Sequence, residues 1–319
     1  MDHASAFIEL RGVTAAYSEK PSLLSRLSGR APVTHSILRG VSFDLDMGPH
    51  VTLFGAEGAG KSTLLRLLSG VLTPSSGRIF VNNQPPGQLK HAAAGYVSAE
   101  ESEPLRETVS AILHAFGATH GVPHFPARLA EISEALDLRE ILYRPAETLS
   151  TTERLRVNLA RAALSSSALI LLDDTADQLG TAFVLRLLKT VFVDRTVIIS
   201  TRHAATAEAL GLSLLILHNG IVSHRGTTEE LSRTASVPRT VDIWIEGVRY
   251  DVIRALKQHS GVLEVRLLPV SDFAGQRLRL TVRSAHHLPS VYDTISQTPV
   301  VRIEESPAGL DDLITRLFS

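Results

Sequence analysis

A glycine-rich run at residues 55–63, GAEGAGKST, has the residue types and spacing of a loop that wraps around phosphate groups. Glycines let the backbone turn so that several N–H groups point at phosphate oxygens. The pattern places Lys61 to reach the β- and γ-phosphates and Ser62 to bind Mg²⁺. The apolar strand VTLF precedes the loop and a run with helical spacing follows it, so a helix N-terminus faces the same phosphates. The residues expected around the phosphates are Gly55, Glu57, Gly58, Gly60, Lys61, Ser62 and Thr63.

A second chemical feature is the apolar run ALILL, which ends in an aspartate at position 173. An apolar strand that ends in Asp is by itself often only the end of a strand. Beside a phosphate loop, the carboxylate of Asp173 can hold the Mg²⁺ shell, directly or through water. The sequence therefore predicts that Ser62 and Asp173 together hold Mg²⁺.

Length and composition limit what kind of protein carries these residues. The chain has 319 residues, 32 Lys plus Arg, 33 Asp plus Glu, a formal net charge of −1 and no cysteine. The balanced charge argues against a chain that coats nucleic acid or an anionic membrane. The lack of cysteine excludes disulfides and thiolate chemistry and suits a reducing cytosol. With no signal-like N-terminus and no apolar run near the roughly 20 residues that cross a bilayer, we expect any membrane role to run through a partner.

The order of elements predicts an α/β fold with two domains. Strand patterns alternate with helical ones, which is typical of a largely parallel sheet, and a helical subdomain is expected at about 104–165. Residues 18–35 look like an exposed insertion. The pattern breaks near 232–239, so we divide the chain into a domain at 1–235 that carries the phosphate loop and an accessory domain at 236–319. The accessory domain reads βαββαβ plus a final helix, which predicts a small α+β, ferredoxin-like fold.

Over about residues 7–231 the chain resembles the nucleotide-binding domain of ABC transporters, a P-loop NTPase fold. This resemblance implies that ATP and Mg²⁺ are bound, and that Tyr17 stacks on adenine, although Tyr17 can equally close a strand edge. The matching segments are GAEGAGKST (55–63) at Walker A, GYVSA (95–99) at the Q-loop, LSTTERLRVNLARAA (149–163) at the signature, ALILLDDTADQLG (168–180) at Walker B and the D-loop, and ISTRHAATAEAL (199–210) at the switch histidine.

Several motif residues depart from the family pattern. The Q-loop glutamine is replaced by Ala99, the catalytic glutamate by Asp174 and the switch histidine by Arg202. The remaining departures are Thr151 and Thr152 for the two signature glycines, Glu153 for the signature glutamine, and Gly180 for the D-loop aspartate.

These substitutions bear on hydrolysis more than on binding. Family domains close head to tail, so Ser150 can still donate to the γ-phosphate held by a partner cassette, although β-branched Thr151 and Thr152 hinder close approach. Asp174 is one methylene shorter than glutamate, and Arg202 can steady γ-phosphate charge but cannot share protons as histidine does. Asp174 and Arg202 are therefore the catalytic candidates.

Three nearby residues have a simpler interpretation. His203, one residue after the switch position, is a surface residue or a displaced switch histidine. Glu100 and Glu101 are solvated loop charges or Mg²⁺ ligands. The histidines elsewhere show no convincing metal spacing.

The final segment, SPAGLDDLITRLF (306–318), resembles the tail of exporter ATPases that pair with an ABC-2-type membrane permease. The resemblance implies a chain on the cytoplasmic face of the inner membrane, attached through that permease. Since both sites of a homodimer would carry the substitutions, we favour a heterodimer with a second ATP-binding cassette chain, with a homodimer still possible. The first functional hypothesis is an ATP-binding subunit with weak or absent hydrolysis. The alternative is a self-sufficient ATPase that energises the exporter. A non-transport role with nucleic acid is disfavoured.

Overall fold

Nine strands among the described residues up to Gly226 form two sheets in the computed structural model. The model describes residues 6–18, 34–88, 94–98, 106–235, 237–246, 250–268, 276–296, 298–306 and 309–318. The strands are β1 (Ile8–Ser18), β2 (Thr34–Leu45), β3 (His50–Phe54), β4 (Ser76–Val81), β5 (Ala94–Ser98), β6 (Leu169–Asp173), β7 (Thr196–Thr201), β8 (Ser213–His218) and β9 (Ile221–Gly226).

The larger sheet has the order β5-β6-β7-β3-β8-β9, and its first five strands run parallel. Every residue of β6 and β7 is buried, as expected for parallel strands covered on both faces. The smaller sheet is antiparallel, in the order β2-β1-β4. The carboxyl ends of β3, β5, β6 and β7 share one edge of the larger sheet, because Phe54 lies opposite Thr201 and Ser98 lies opposite Asp173. Ligands of parallel sheets bind at such an edge.

Seven helices accompany these sheets among the described residues, and the two termini of α4 are well satisfied. Arg195 donates to the carbonyls of Ala162, Ala163 and Ser165 at 2.9–3.0 Å, which caps the C-terminus of α4. The helices are α1 (Lys61–Leu68), α2 (Val109–His120), α3 (Phe125–Ala135), α4 (Thr151–Leu164), α5 (Thr175–Leu179), α6 (Thr181–Thr190) and α7 (Ala204–Leu210). Helices α2 to α4 form one apolar core with α6 through Leu113, Ile132, Leu155 and Leu187.

The remaining residues fold as a second unit with its own core. The chain divides into Met1–Arg225 and Gly226–Ser319, whereas the sequence pattern divides it at 235 and 236. The second unit contains α8 (Thr228–Thr234), β10 (Arg239–Ile245), α9 (Tyr250–Gln258), β11 (Val262–Leu268), β12 (Gln276–Val282), α10 (Leu288–Ile295), β13 (Val300–Ser306) and α11 (Leu310–Phe318). Helix α8 lies between the two boundaries and packs against α11.

The second unit has an antiparallel sheet in the order β11-β12-β10-β13. With the βαββαβ order of its elements, this is the ferredoxin-like arrangement that the sequence predicts. Val241, Ile243 and Ile245 of β10 alternate toward a core shared with α9 and α10. None of the helices in the described ranges combines the length and the apolar character needed to cross a bilayer.

Candidate functional site

The glycine-rich loop joins β3 to α1, and its glycines are required by close packing. A Cβ on Gly55 would lie 2.5 Å from the carbonyl oxygen of Leu217, and one on Gly60 would lie 2.8 Å from Leu38. Gly60 also has a φ of 102°, which side-chain-bearing residues rarely adopt. These contacts hold the loop in a conformation in which backbone N–H groups and the α1 N-terminus are available to an anion.

Lys61 lies within this loop and is 7% exposed. Its Nζ donates to the carbonyls of Gly55 at 2.9 Å and Ala56 at 3.0 Å. Burial lowers the pKa of Lys61, and the nearby carboxylates of Asp174 and Asp173 oppose that shift. An ammonium carries three donors, so one N–H of Lys61 is available for a phosphate oxygen.

A cavity of about 370 Å³ opens above the loop. It brings together the predicted phosphate residues other than Gly55 and both catalytic candidates, which are far apart in the sequence. The lining residues are Ile37, Glu57, Gly58, Gly60, Lys61, Ser62, Thr63, Asp174 and Arg202. The cavity thus has cations, a helix N-terminus and carboxylates at one place, as expected for a bound metal–phosphate complex.

Two hydroxyls orient the carboxylate of Asp173 at the end of β6. Asp173 is 6% exposed and accepts from Ser200 Oγ at 2.5 Å and from Tyr96 Oη at 2.9 Å. The same Ser200 oxygen accepts from the backbone N–H of Asp174 at 2.9 Å. Oxygen donors of this kind, the Asp173 carboxylate and the Ser62 hydroxyl, fit the preference of Mg²⁺. Within the described residues no group of three or more His, Asp or Glu side chains forms a separate metal site.

Asp174 follows with a left-handed backbone, φ 48°, just before α5. Burial and the neighbouring Asp173 carboxylate raise the pKa of Asp174, while Lys61 opposes that shift. A carboxyl with a raised pKa can accept a proton from water more readily than an ordinary aspartate. Asp174 lines the cavity, as a hydrolytic base should, but on a short side chain.

Two of the residues that line the cavity form an ion pair. Arg202, directly after β7, donates from Nη1 to Glu57 Oε2 at 2.5 Å. His203 contacts Arg202 at 3.4 Å, yet it lines a different cavity of about 390 Å³ with Asp177 and Thr206. At the switch position the side chain that reaches the phosphate cavity is therefore Arg202 and not His203.

Comparison with known proteins gives the family. A family model described as ABC transporter matches residues 38–177. The molybdate/tungstate import ATP-binding protein WtpC of Thermococcus kodakarensis is 30% identical over 258 residues, which is 77% of this chain and 77% of that protein. The chain belongs to the ATP-binding proteins of ABC transporters.

Other relatives agree with this membership. The ABC transporter ATP-binding protein NatA of Bacillus subtilis is 28% identical over 61% of this chain and 83% of its own length. A solved ATP-binding subunit of an ABC transporter has a TM-score of 0.58 at 24% identity, covering 72% of this chain and 92% of its own. The predicted ABC-type P-loop NTPase fold is confirmed.

The signature segment of this ABC protein begins α4. Ser150 Oγ accepts from the N–H of Glu153 at 3.2 Å, and Glu153 Oε2 accepts from the N–H of Ser150 at 2.7 Å. This is a capping box, and its hydrogen bonds from Ser150 lower the pKa of Glu153. Arg144 donates to the same carboxylate at 2.7 Å. Ser150 is not among the residues that line its own chain's phosphate cavity, so its predicted contact with the nucleotide of a partner cassette stays a prediction.

Several other predicted residues lie apart from the cavity or outside the described ranges. Tyr17 lies near the end of β1 opposite His35, with 42% of its surface exposed, and does not line the cavity. Adenine stacking by Tyr17 stays a prediction. The Q-loop residues Ala99, Glu100 and Glu101, and most of the 18–35 insertion, lie outside the described residues.

The motif patterns missed Tyr96 and Ser200, the two hydroxyl donors to Asp173. Both lie on strands that flank β6, and the parallel register brings them to its carboxyl end. The only sequence signal was a polar residue near the end of an otherwise apolar strand, as in TVIIST for Ser200. The motif patterns also missed the pairing of Arg202 with Glu57, residues 145 positions apart.

Proposed function

We propose that this ABC ATP-binding subunit binds MgATP and turns it over weakly or not at all, within an ABC-2-type exporter. One observation carries the proposal: Gly58, Gly60, Lys61, Ser62 and Thr63 of the phosphate loop line one cavity, and the catalytic candidates in the same lining are Asp174 and an Arg202 paired with Glu57. The proposal separates binding from hydrolysis.

Binding rests on residues that match the family pattern. Gly55, Gly58 and Gly60 give the backbone cradle, Lys61 reaches the β- and γ-phosphates, and Thr63 lines the wall. Ser62 and Asp173 would hold Mg²⁺, which neutralises phosphate charge when it is bound. Ser200 and Tyr96 keep the Asp173 carboxylate oriented for this task.

Weak hydrolysis follows from the water-positioning groups. The carboxylate of Asp174 ends one methylene short, and a displacement of about 1 Å can cost on the order of 100-fold in rate. Arg202 stays charged throughout a reaction and is already paired with a carboxylate. In a partner's site, the exposed Thr151 and Thr152 side chains would stand where glycine lets backbone approach phosphate.

The partner assignment has two parts. A heterodimer with a second cassette chain would let the partner's glutamate and histidine act in one site, whereas a homodimer would carry the substitutions in both sites. The membrane partner would be an ABC-2-type permease that holds the chain on the cytoplasmic face of the inner membrane. Several relatives are named as import proteins, so the proposal of export rests on the segment at 306–318, which includes α11.

Arg202 also supports the alternative, a self-sufficient ATPase. Its guanidinium lines the phosphate cavity and could stabilise γ-phosphate charge in the transition state, as a cis arginine does in other nucleotide hydrolases. In that case Arg202→Ala and Asp174→Asn would both lower a substantial wild-type rate.

Steady-state ATPase assays separate the two functions. We expect a wild-type rate near background, and little gain from Asp174→Glu alone because residues of one site act together. Restoring Ala99→Gln, Thr151→Gly, Thr152→Gly, Asp174→Glu and Arg202→His together should raise the rate by at least about 100-fold. A wild-type rate near one per second, typical of working enzymes, would contradict weak hydrolysis.

Nucleotide titration tests binding separately. Lys61→Ala should abolish MgATP binding at micromolar to millimolar nucleotide, because Lys61 is the buried cation of the cavity. Lys189→Ala, a change in the last turn of α6, is the matched control and should leave the affinity unchanged. Equal affinity in wild type and Lys61→Ala would disprove the site.

A further inference from the structure

Strand β11 forms one edge of the sheet in the second unit, among the strands that the structure describes. Its sequence is VLEVRLL. Leu263 and Leu267 are 47% and 49% exposed. An edge strand with exposed apolar side chains and no proline is a template for pairing with another strand.

The order of residues in β11 is complementary to itself. The residue order is symmetric about Val265: Glu264 and Arg266 lie on either side of it, and Leu263 and Leu267 lie outside these two charges. In an antiparallel pair about a two-fold axis at Val265, Glu264 lies opposite Arg266 of the second copy. Leu263 then lies opposite Leu267 of the second copy, so every position in this stretch meets a compatible residue.

The two charges of this stretch are exposed and pair with each other within the chain, so they remain accessible to a second copy. Arg266 Nε contacts Glu264 Oε1 at 2.6 Å, with side chains 65% and 47% exposed. Exposed pairs of this kind contribute little by themselves. On self-pairing, each copy's two charges would join the opposite charges of the other copy in a group of four.

We propose that two copies of this chain associate through β11, antiparallel about a two-fold axis at Val265. The pairing extends the four-stranded sheet across both copies and is isologous, since the same surface is used on each side. An irregularity in the β11–β12 register lies between Val262 and Glu264. The regular ladder with β12 therefore runs from Glu264 to Leu268, and the irregularity lies at Leu263, at one end of the self-complementary stretch.

The opposite edge, β13, fits a second copy less well. Val301 and Ile303 are exposed there, and Arg302 and Glu304 would match around Ile303. The same register, however, places Val301 opposite Glu305 of the other copy. Glu305 is already hydrogen-bonded to Tyr292. Pairing at β13 would therefore place a charged side chain opposite a valine, whereas pairing at β11 places a leucine opposite a leucine.

This association goes beyond the proposed function and does not depend on nucleotide. It uses the second unit alone, so it forms with or without ATP in the phosphate cavity. If the cassettes pair as a heterodimer, the β11 association would give an assembly with two copies of each chain. If they pair as a homodimer, it would give a closed dimer.

Cysteine cross-linking of the full, nucleotide-free chain tests the pairing, because the natural chain has no cysteine. Directly paired Cα atoms lie about 4.5–5.5 Å apart in an antiparallel ladder, within the range of a disulfide. Val265→Cys should therefore form a disulfide-linked dimer on mild oxidation. Ile303→Cys, the equivalent position on β13, is the matched control and should cross-link at least about tenfold more slowly, because the pairing holds only β11 at this spacing.

Charge reversal gives a second measurement that does not depend on oxidation. Glu264→Arg and Arg266→Glu each place like charges opposite one another twice in the dimer, and each should weaken self-association by roughly tenfold or more. The double variant restores opposite charges and should restore association, as measured by sedimentation equilibrium. Equal cross-linking of Val265→Cys and Ile303→Cys, or a double variant as weak as the singles, would overturn the proposal.

Discussion

Ser200→Ala tests how the acidic end of β6 is held together. The Ser200 hydroxyl donates to Asp173 at 2.5 Å and accepts from the Asp174 N–H at 2.9 Å. Its removal loses a hydrogen bond to a charged group, worth about 1.5–3 kcal/mol, and leaves a donor unpaired at a cost of about 1–3 kcal/mol. We therefore expect the free energy of unfolding to fall by about 2.5–6 kcal/mol, measured in urea by far-UV circular dichroism without nucleotide.

Two variants calibrate this value. Tyr96→Phe removes one donor to the Asp173 carboxylate and should cost about 1.5–3 kcal/mol. Ser223→Ala removes a bond to the neutral carbonyl of Ile216 at 3.1 Å and should cost only about 0.5–1.5 kcal/mol.

The single tryptophan, Trp244, lies in the second unit. Its fluorescence therefore reports on that unit, and we expect its unfolding transition to stay unchanged in Ser200→Ala. The same variant should reduce the gain in ATP affinity that Mg²⁺ gives, because Asp173 loses its orientation. A loss of stability no larger than that of Ser223→Ala would refute the reasoning.

Three further outcomes follow from single contacts. Glu57→Gln releases an exposed ion pair worth at most about 1 kcal/mol, so ATP should bind up to about fivefold more tightly in calorimetry; unchanged affinity would show that the pair does not compete with phosphate. Arg202→Ala should weaken ATP more than ADP, because only ATP has the γ-phosphate, and equal losses would contradict a contact with that group. Hydrogen bonds from Arg279 and Arg277 lower the pKa of Asp242 to about 2. Its stabilisation, roughly 1 kcal/mol after solvent screening, is therefore present above pH 4 and lost as the pH falls toward 2, and Asp242→Asn should remove this dependence from acid unfolding curves.

Local patterns predicted much of the fold and the phosphate loop. The loop residues are contiguous and their geometry is set by glycines, so residues 55–63 were sufficient to predict a phosphate site. Asp173 was predictable because the carboxyl ends of parallel strands share one edge. The ferredoxin-like order of the second unit followed from alternating strand and helix periods, and the strand order of the folded sheet agrees with it.

Contacts between distant segments were not predictable from motifs. Tyr96 and Ser200 reach Asp173 only through the registers of β5 and β7 on β6, and a register is a property of the assembled sheet. Glu153 is different, because serine followed three residues later by glutamate is a recognisable capping box. Comparison with the signature pattern treated Glu153 only as a replaced glutamine, and its local structural role was missed.

Three positions that depart from the family pattern make contacts within the chain itself. The Glu153 side chain completes the cap of α4 and pairs with Arg144, and Arg202 pairs with Glu57, which also lines the phosphate cavity. Ser200 Oγ donates to the Asp174 carboxylate at 3.4 Å. None of these contacts depends on a reacting water. A nucleotide that uses the Arg202 guanidinium must displace its pairing with Glu57, so nucleotide binding would be coupled to a rearrangement at the cavity. Under the proposed function, this coupling would let ATP change the conformation of the subunit and signal to a partner without hydrolysis.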